Sequence, residues 1–352
     1  MKKRFFALFL LFSLFIAGCQ TGQEANADFN TFCMETFRSY AASDSLTLNY
    51  TLMSPKKYGI TDLPDGFSSF SLHDLKQTQT STENTLARLH NFASKNLSRE
   101  DRLLYDTLDT SLTLSQEDTR MLAHSYSFDP SSGIQAQLPV LLCEFILTDK
   151  QDYDQYFSLL KSIPAYFNSL TALEKIKQKK GTLPAATTIR HTISQCKEFI
   201  DSSGTDAIEK SFEKSINSAS FFSASEKKER LKKHRKLLSH SLFPAYKNLI
   251  AELGKLLPFA PNDGALAACT GGRAYYEYLV KEKTGTISSP DSLFQMLTKK
   301  LSESEQKLAT LAATSPSSFL TCEKHTSKYE EPKSILTHLK RNIRTDFPAL
   351  KK

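Results

Sequence analysis

The amino-acid sequence predicts an all-α protein with a bundle-like body. Apolar residues recur every three or four positions along most of the 352 residues, which is the spacing of one face of a helix. The chain has only 12 glycines, fewer than the turns of an all-β fold usually need. Period-two alternation is confined to Leu46, Leu48, Tyr50 and Leu52, where a short strand stays open as an alternative.

Residues 1–18 have the pattern of a secretory signal peptide. Three basic residues precede an apolar run over 5–16 that is too short to span a bilayer as a helix. Ile16-Ala17-Gly18-Cys19 then resembles a bacterial lipobox, in which the cysteine carries lipid, such as palmitate, and becomes the new N-terminus. The alternative is an ordinary signal peptide followed by an incidental cysteine. We therefore predict lipid attachment at Cys19 and an extracytoplasmic protein anchored to the bacterial cell membrane.

The rest of the chain divides into a tether and a body. Residues 19–28 contain the predicted lipidated cysteine and a small, polar stretch that suits a flexible tether. Residues 29–352 form the predicted helical body. Removal of the signal peptide lowers the formal net charge from +7 to +4, because residues 1–18 hold three positive charges. So mild a charge gives no case for a nucleic-acid partner, whereas membrane lipid is an expected partner through Cys19.

Capping residues and breakers set the expected helix ends. Ser98 with Asp101 is a capping pair that opens a helix, and Ser223 with Glu226 is another. We expect Pro164 to end one helix, Lys180-Gly181 to end the next, and Pro244 to kink the long helix that begins near Ser223. Late in the chain, Ser288 and Asp291 cap a helix with apolar residues at 293, 297, 301, 308 and 311, and a final apolar stripe occupies 335, 339, 343 and 347.

A search for catalytic and metal-binding motifs is negative. The sequence has no HExxH, no histidine pair at metal-ligand spacing on a helix, no GxSxG and no glycine-rich phosphate loop. We therefore assign no catalytic residue, no metal ligand and no cofactor to this chain. The five cysteines after Cys19 are widely spaced and odd in number, so disulfides and buried free thiols both remain open: Cys33, Cys143, Cys196, Cys269 and Cys322.

Two further segments carry weaker signals. Residues 227–236 hold seven Lys or Arg against one Glu, and a solvated helix face is favoured there over contact with anionic headgroups. GGRAYYEYL (271–279) places Tyr275 and Tyr276 about 100° apart on a helix. Ordinary packing of the rings is favoured, but at least one tyrosine could offer its hydroxyl to a ligand in a groove.

Several stretches together resemble a bacterial family known as domain of unknown function 885. They are SLTLNYTLMSPKKYGI (45–60), GIQAQLPVLLCEFILTDKQDYDQYFSLLKSIPAYF (133–167), KKGTLPAATTIRHTISQCKEFI (179–200), FPAYKNLIAELGKLLP (243–258) and GGRAYYEYLVKEKTG (271–285). Their order and spacing carry the resemblance, which runs from about residue 29 to the C-terminus. In the first stretch Asn49 stands where the family pattern would have a histidine.

The resemblance implies a helical, zinc-peptidase-like fold, often secreted or lipid-anchored. In such proteins an HExxPGH-type helix in the C-terminal half supplies zinc ligands and a glutamate that activates water. This chain ends at RTDFPALKK (344–352), a segment that resembles the family just before that half. No metal residue can be carried over, so zinc is expected only in full-length relatives.

Three hypotheses about function follow. The first is the N-terminal half of a peptidase-like lipoprotein, inactive on its own, with Tyr275 and Tyr276 lining a substrate groove and a separately encoded C-terminal half as partner. The second is a self-sufficient peptide-binding or scaffold lipoprotein derived from the same family. The third, an enzyme with unrecognised chemistry, is the least favoured because the motif search is negative.

Overall fold

The structure is a computed structural model that describes residues 22–201, 205–262, 266–317 and 331–347. These residues form helices and no strand, so the prediction of an all-α fold is confirmed. The α-helices are α1 (Gly22–Ala41), α2 (Ser45–Thr51), α3 (Leu72–His90), α4 (Arg99–Met121), α5 (Ile134–Glu144), α6 (Lys150–Lys180), α7 (Ala186–Asp201), α8 (Asp206–Ser218), α9 (Ala224–Leu237), α10 (Phe243–Leu256), α11 (Gly272–Thr284), α12 (Pro290–Thr314) and α13 (Pro332–Asp346).

The chain forms two compact units. The first comprises residues 1–285 and contains α1 to α11, and the second comprises 286–352 and contains α12 and α13. Within the first unit, α3 packs against α4, and a small core there includes Phe29, Leu89 and Leu97. The larger core lies among α5 to α10, with α6 and α10 among its main contributors.

Helix α6 lies beside α9 and α10 and runs in the same direction. Three ion pairs show this, because they join the two partners in the same order along both: Lys150 to Glu226, Asp154 to Arg230, and Lys175 to Glu252. Aromatic side chains of α6 fill the space between, with Tyr153 and Tyr156 almost completely buried. The predicted stripe over 153–163 therefore forms the centre of the core.

Pro164 does not end a helix, contrary to the prediction. Helix α6 continues through it from Lys150 to Lys180 and ends, as predicted, at Gly181, whose φ of +68° is left-handed. A proline inside a helix costs about 3 kcal/mol. Ile163 and Phe167 flank it with at most 1% exposure, and burial of each such side chain contributes roughly 1.5–3 kcal/mol. Burial of residues on both sides of Pro164 offsets its cost.

Pro244 is preceded by a change of helical form. Residues Leu238–Leu242 make a π-helical turn between α9 and α10, and Pro244 follows within the first turn of α10. Because proline has no N–H to donate, a wider turn just before it accommodates the missing bond. The capping box of Ser223 and Glu226 is present as predicted, and Ser98 accepts a hydrogen bond from the Asp101 N–H.

Three expectations about helix boundaries differ from the structure. The period-two segment is helix α2 rather than a strand, since Asp44 accepts hydrogen bonds from the N–H groups of Leu46 and Thr47 and so fixes a helix start. Residues 22–28, assigned to the tether, are already helical in α1, and Phe29 is completely buried. The cap of α12 is Ser289, one residue after the predicted Ser288.

The second unit has helices without a buried face. The predicted apolar stripes of α12 and α13 do lie on helices, but none of the α12 side chains that the structure describes is buried. Phe294 is 72% exposed and Leu301 is 61% exposed. Leu336 on α13 and Phe347, the residue just after it, are more than 60% exposed.

Candidate functional site

Two glycines shape the start of the tyrosine-rich helix α11. Gly271 has a φ of +78°, a left-handed conformation that L side chains rarely adopt. A Cβ added to Gly272 would lie 1.7 Å from the carbonyl oxygen of Leu266. The glycine pair therefore allows α11 to begin directly against the preceding backbone.

Tyr275 and Tyr276 lie in different environments. Tyr275 is 7% exposed and stacks on the His124 ring at 5.5 Å and on Tyr278 at 6.1 Å. Burial raises the pKa of its hydroxyl to about 12. Tyr276 points away and is 51% exposed. Tyr275 is therefore a packing residue, and only Tyr276 has a ring open to solvent; the groove proposed for both remains a prediction.

The loop before α5, which contains His124, holds the start of α11 in place. The Nε2 atom of His124 lies 2.8 Å from the Thr270 carbonyl oxygen, which requires Nε2 to carry the proton that it donates. Its Nδ1 atom is buried with no partner among the described residues. Next to it, Lys177 donates to the Ser125 carbonyl and, at 2.6 Å, to the carboxylate of Glu174. This ion pair is buried, so the loop is fixed between α6 and α11.

A second cluster centres on Asn49, the residue that departs from the family pattern. The Asn49 side chain donates to the Ile146 carbonyl at 2.9 Å and accepts from the Ile146 N–H at 2.9 Å. The neighbouring Tyr50 hydroxyl donates to the Leu141 carbonyl at 3.3 Å, and burial together with the nearby Glu144 charge raises its pKa. No sequence motif marks Tyr50 or Glu144 as a site residue. The sequence signal that could have pointed to this cluster is Asn49, which stands where the family pattern would have a histidine.

Three of the stretches that carry the family resemblance contact one another. Asn49 joins the first to the second, and the Tyr246 hydroxyl joins the fourth to the second by donating to the Gln135 carbonyl at 2.7 Å. Asn248 also donates to the Asn168 side chain at 2.8 Å. The segments therefore build one continuous piece of the fold around α5, α6 and α10.

The basic run of α9 is divided between packing and solvent. Arg230 pairs with Asp154 at 2.9 Å and lies 4.3 Å from the centre of the Phe222 ring, and Lys233 lies over Phe157. The remaining lysines on the outer face, at 228, 232 and 236, are exposed. This distribution fits the favoured interpretation of a partly solvated helix face.

The described cysteines are free thiols. They are Cys33, Cys143, Cys196 and Cys269. Burial raises the pKa of Cys33 to about 11 and that of Cys196 to about 12, so both stay protonated and unreactive near neutral pH. Cys19, the predicted lipid site, and Cys322 lie outside the described residues.

The described part of the chain offers no place for the zinc that the resemblance implies in relatives. Across residues 22–201, 205–262, 266–317 and 331–347, no three His, Cys, Asp or Glu side chains come together as a metal ion would require. The residues present therefore do not fit a zinc ion, and we derive no chemical step through one. Over the same residues, no helix has the length and apolar character needed to cross a bilayer.

The fold and these clusters define a class: an all-α protein of two helical units with extensive aromatic packing and no recognised catalytic group in the described residues. Residues 55–349 match the family described as "Bacterial protein of unknown function (DUF885)". This match covers well over half of the sequence, and the chain belongs to that family.

A solved structure shares the fold. It is described as "The crystal structure of the putative lipoprotein from Colwellia psychrerythraea", and it superposes with a TM-score of 0.65 at 14% sequence identity. The match covers 93% of this chain and 59% of that chain, so our chain spans about three-fifths of the length of this neighbour. No curated protein is detectably similar in sequence.

Proposed function

We propose that this chain is the lipid-anchored, extracytoplasmic helical part of a peptidase-like protein and does not cleave peptides on its own. Cys19 carries the lipid, and the helical body forms one wall of a peptide groove. Catalysis depends on a further part of the family fold, which packs against α12 and α13 and carries the metal site.

The observation that supports this proposal is the uncovered apolar face of α12. Phe294, Leu297, Leu301, Leu308 and Leu311 lie along it, with Ser304 between, at intervals that alternate between three and four residues. Each of these five apolar side chains is at least 46% exposed. This spacing is typical of a helix that packs along another helix. Apolar faces of this extent are rare on the surfaces of isolated soluble proteins and mark interaction sites.

Two comparisons support the assignment of that face to a further part of the fold. The family match extends to residue 349 and so includes both α12 and α13, which makes them elements of the family domain. About two-fifths of the solved neighbour's own chain lies outside the match, which covers 59% of it. A further part of that size is large enough to cover both apolar faces.

The test is a fractionation and activity experiment on the full chain and its Cys19→Ala variant, expressed in a bacterial host. We expect the parent chain in the membrane fraction, labelled by radioactive palmitate, and the variant unlabelled and released. We expect neither protein to hydrolyse a mixed peptide library with added zinc.

Two outcomes would contradict the proposal. If the Cys19→Ala variant still carried the label and stayed in the membrane fraction, Cys19 would not be the site of lipid attachment. Zinc-dependent hydrolysis by the purified parent chain would overturn the proposed dependence on a further part.

A further inference from the structure

We propose that a surface formed by Tyr50, Val140, Glu144 and Ile146 binds an extended peptide, with a cationic amine of the peptide at Glu144. We refer to these four residues as the Glu144 surface. The inference rests on the proposed function and deepens it, because it names the part of the first unit that a peptide contacts and the chemistry that the peptide must carry.

The backbone at Ile146 has the geometry of a strand edge that is already paired on one side. Both its N–H and its C=O point at the Asn49 side chain, each at 2.9 Å. The two groups of one residue point the same way only when the backbone is extended, as in a sheet. The Asn49 amide therefore takes the place of a neighbouring strand on this edge.

The opposite edge carries backbone groups without a hydrogen-bond partner among the described residues. Backbone groups of successive residues in an extended chain point to opposite sides, so those of Leu147 point away from Asn49. They have no hydrogen-bond partner in the part of the chain that the structure describes. An extended peptide placed along Leu147 would satisfy both groups, as in recognition by strand addition.

Residues 145–147 are fixed by packing of the Phe145 and Leu147 side chains against the core. The Phe145 ring is 5% exposed and meets Tyr156 edge-on at 5.4 Å, and Leu147 packs against the same core. The Ser211 hydroxyl donates to the Cys143 carbonyl at 2.7 Å, just before the segment begins. A preformed edge of this kind binds a peptide without the cost of ordering its own backbone.

Exposed apolar side chains flank the edge. Ile146 is 38% exposed, Tyr50 is 46% exposed and Val140 is 55% exposed. Val140 and Glu144 are one turn apart on α5 and so share a face, and the Tyr50 hydroxyl donates to the carbonyl of Leu141 on the same helix. Alternate side chains of an extended peptide would therefore meet apolar surface on one side of the peptide.

Charge favours a cationic group at one end of the surface. Glu144 is exposed and has no Lys, Arg or His ion partner among the described residues. Burial, together with the nearby charge of Glu144, raises the pKa of the Tyr50 hydroxyl, so this hydroxyl stays protonated beside the carboxylate. An amine of the peptide, either a lysine side chain or a free N-terminus, complements this carboxylate.

The experiment uses residues 20–352, which include every described residue, and three fluorescein-labelled pentapeptides. The first is acetyl-Lys-Val-Ala-Val-Ala, the second has norleucine in place of lysine, and the third has norleucine and a free N-terminus. Fluorescence anisotropy gives the affinities of the parent chain, of Glu144→Gln and of the control Glu213→Gln, which changes an exposed carboxylate on α8. Hydrogen exchange measured on the peptide fragment covering 145–149 reports strand addition.

We expect the first or the third probe to bind more tightly than the second, and the one that does identifies the source of the amine. Glu144→Gln should lower the affinity for that probe about five-fold, which is the upper end for a partly exposed ion pair. Glu213→Gln should leave the affinity unchanged. Exchange at 145–149 should slow when the probe is bound.

Several results would overturn the inference: no binding of any probe at millimolar concentration, equal binding of all three, equal loss in both variants, or unchanged exchange at 145–149. None of these affects the membrane and activity tests of the proposed function. Conversely, a chain that binds the probe at Glu144 and also hydrolyses peptides would keep this inference and overturn the proposed dependence on a further part.

Discussion

At the scale of single residues, His234 is the most buried ionisable group of the basic run. It is 1% exposed, its ring stacks on Phe212 at 4.1 Å, and its Nε2 atom lies 3.3 Å from the Tyr156 hydroxyl. Burial, with a smaller contribution from Arg235, lowers its pKa from 6.5 to about 4. A histidine within a basic segment is thus a neutral core residue, which the charge pattern of the sequence could not show.

This depressed pKa predicts a loss of stability in mild acid. The unfolded chain binds a proton at His234 below pH 6.5, whereas the folded chain does so only near pH 4. Protonation therefore favours unfolding between these values, by about 1.4 kcal/mol per pH unit and about 3 kcal/mol in total. Urea unfolding, followed by circular dichroism at pH 7, 6 and 5, measures this fall in the free energy of unfolding.

The control is a comparison of two histidine variants. His234→Phe should flatten this part of the pH dependence, whereas His240→Gln, which changes an exposed ring, should leave it as in the parent chain. An equal pH dependence in the parent and in His234→Phe would show that His234 is not the titrating group.

At the scale of elements, the sequence predicted helix ends correctly where they depend on a hydrogen bond between a residue and backbone a few positions away. The serine and glycine helix ends at 98, 181 and 223 agree with the prediction, because a cap depends on residues only two or three positions away. The helix end predicted at Pro164 was wrong, because burial in a long-range core carries the helix through the proline. The strand that was left open over 46–52 is a helix instead, because Asp44 caps it. The contact of Asn49 with Ile146 joins residues 97 apart and could not be read from either segment.

Two glycines in neighbouring helices give opposite predictions for substitution by alanine. Gly272→Ala would place a Cβ 1.7 Å from the Leu266 carbonyl oxygen, and since backbone cannot yield easily, we expect a loss of about 1–3 kcal/mol or more. Gly254, exposed within α10, has no atom within 4 Å of such a Cβ. Gly254→Ala should therefore stabilise α10 by about 0.5–1 kcal/mol.

Thermal and urea unfolding of the two variants test this pair directly, and each serves as the control for the other. Destabilisation of similar size by both substitutions would contradict the packing described at the start of α11. So would a Gly272→Ala variant as stable as the parent chain.

At the scale of the whole molecule, helical periodicity alone did not predict which apolar stripes are buried. The stripe over 153–163 and that over 293–311 have the same helical pattern, yet the first fills a core and the second is exposed. Burial depends on a partner surface, and the sequence of one helix does not state whether that partner is present. For the α11 tyrosines, ordinary packing was the favoured interpretation, and the His124 ring stacks on Tyr275; a groove lined by Tyr275 and Tyr276 stays a prediction.

The apolar face of α12 is proposed to be a docking surface for a further part of the fold. The most direct test of this proposal is binding of the dye bis-ANS to residues 20–352, to a Leu297→Ser/Leu301→Ser variant and to a control, Leu72→Ser/Leu103→Ser. The control changes two leucines of the first unit that are 59% and 70% exposed, against 59% and 61% for the α12 pair.

We expect strong dye fluorescence from the parent chain and the control, and a loss of at least half of it in the α12 variant. The far-ultraviolet circular dichroism should be the same for all three proteins. A parent chain that sediments as a monomer and binds no dye, or an α12 variant that binds as much dye as the control, would contradict the claim.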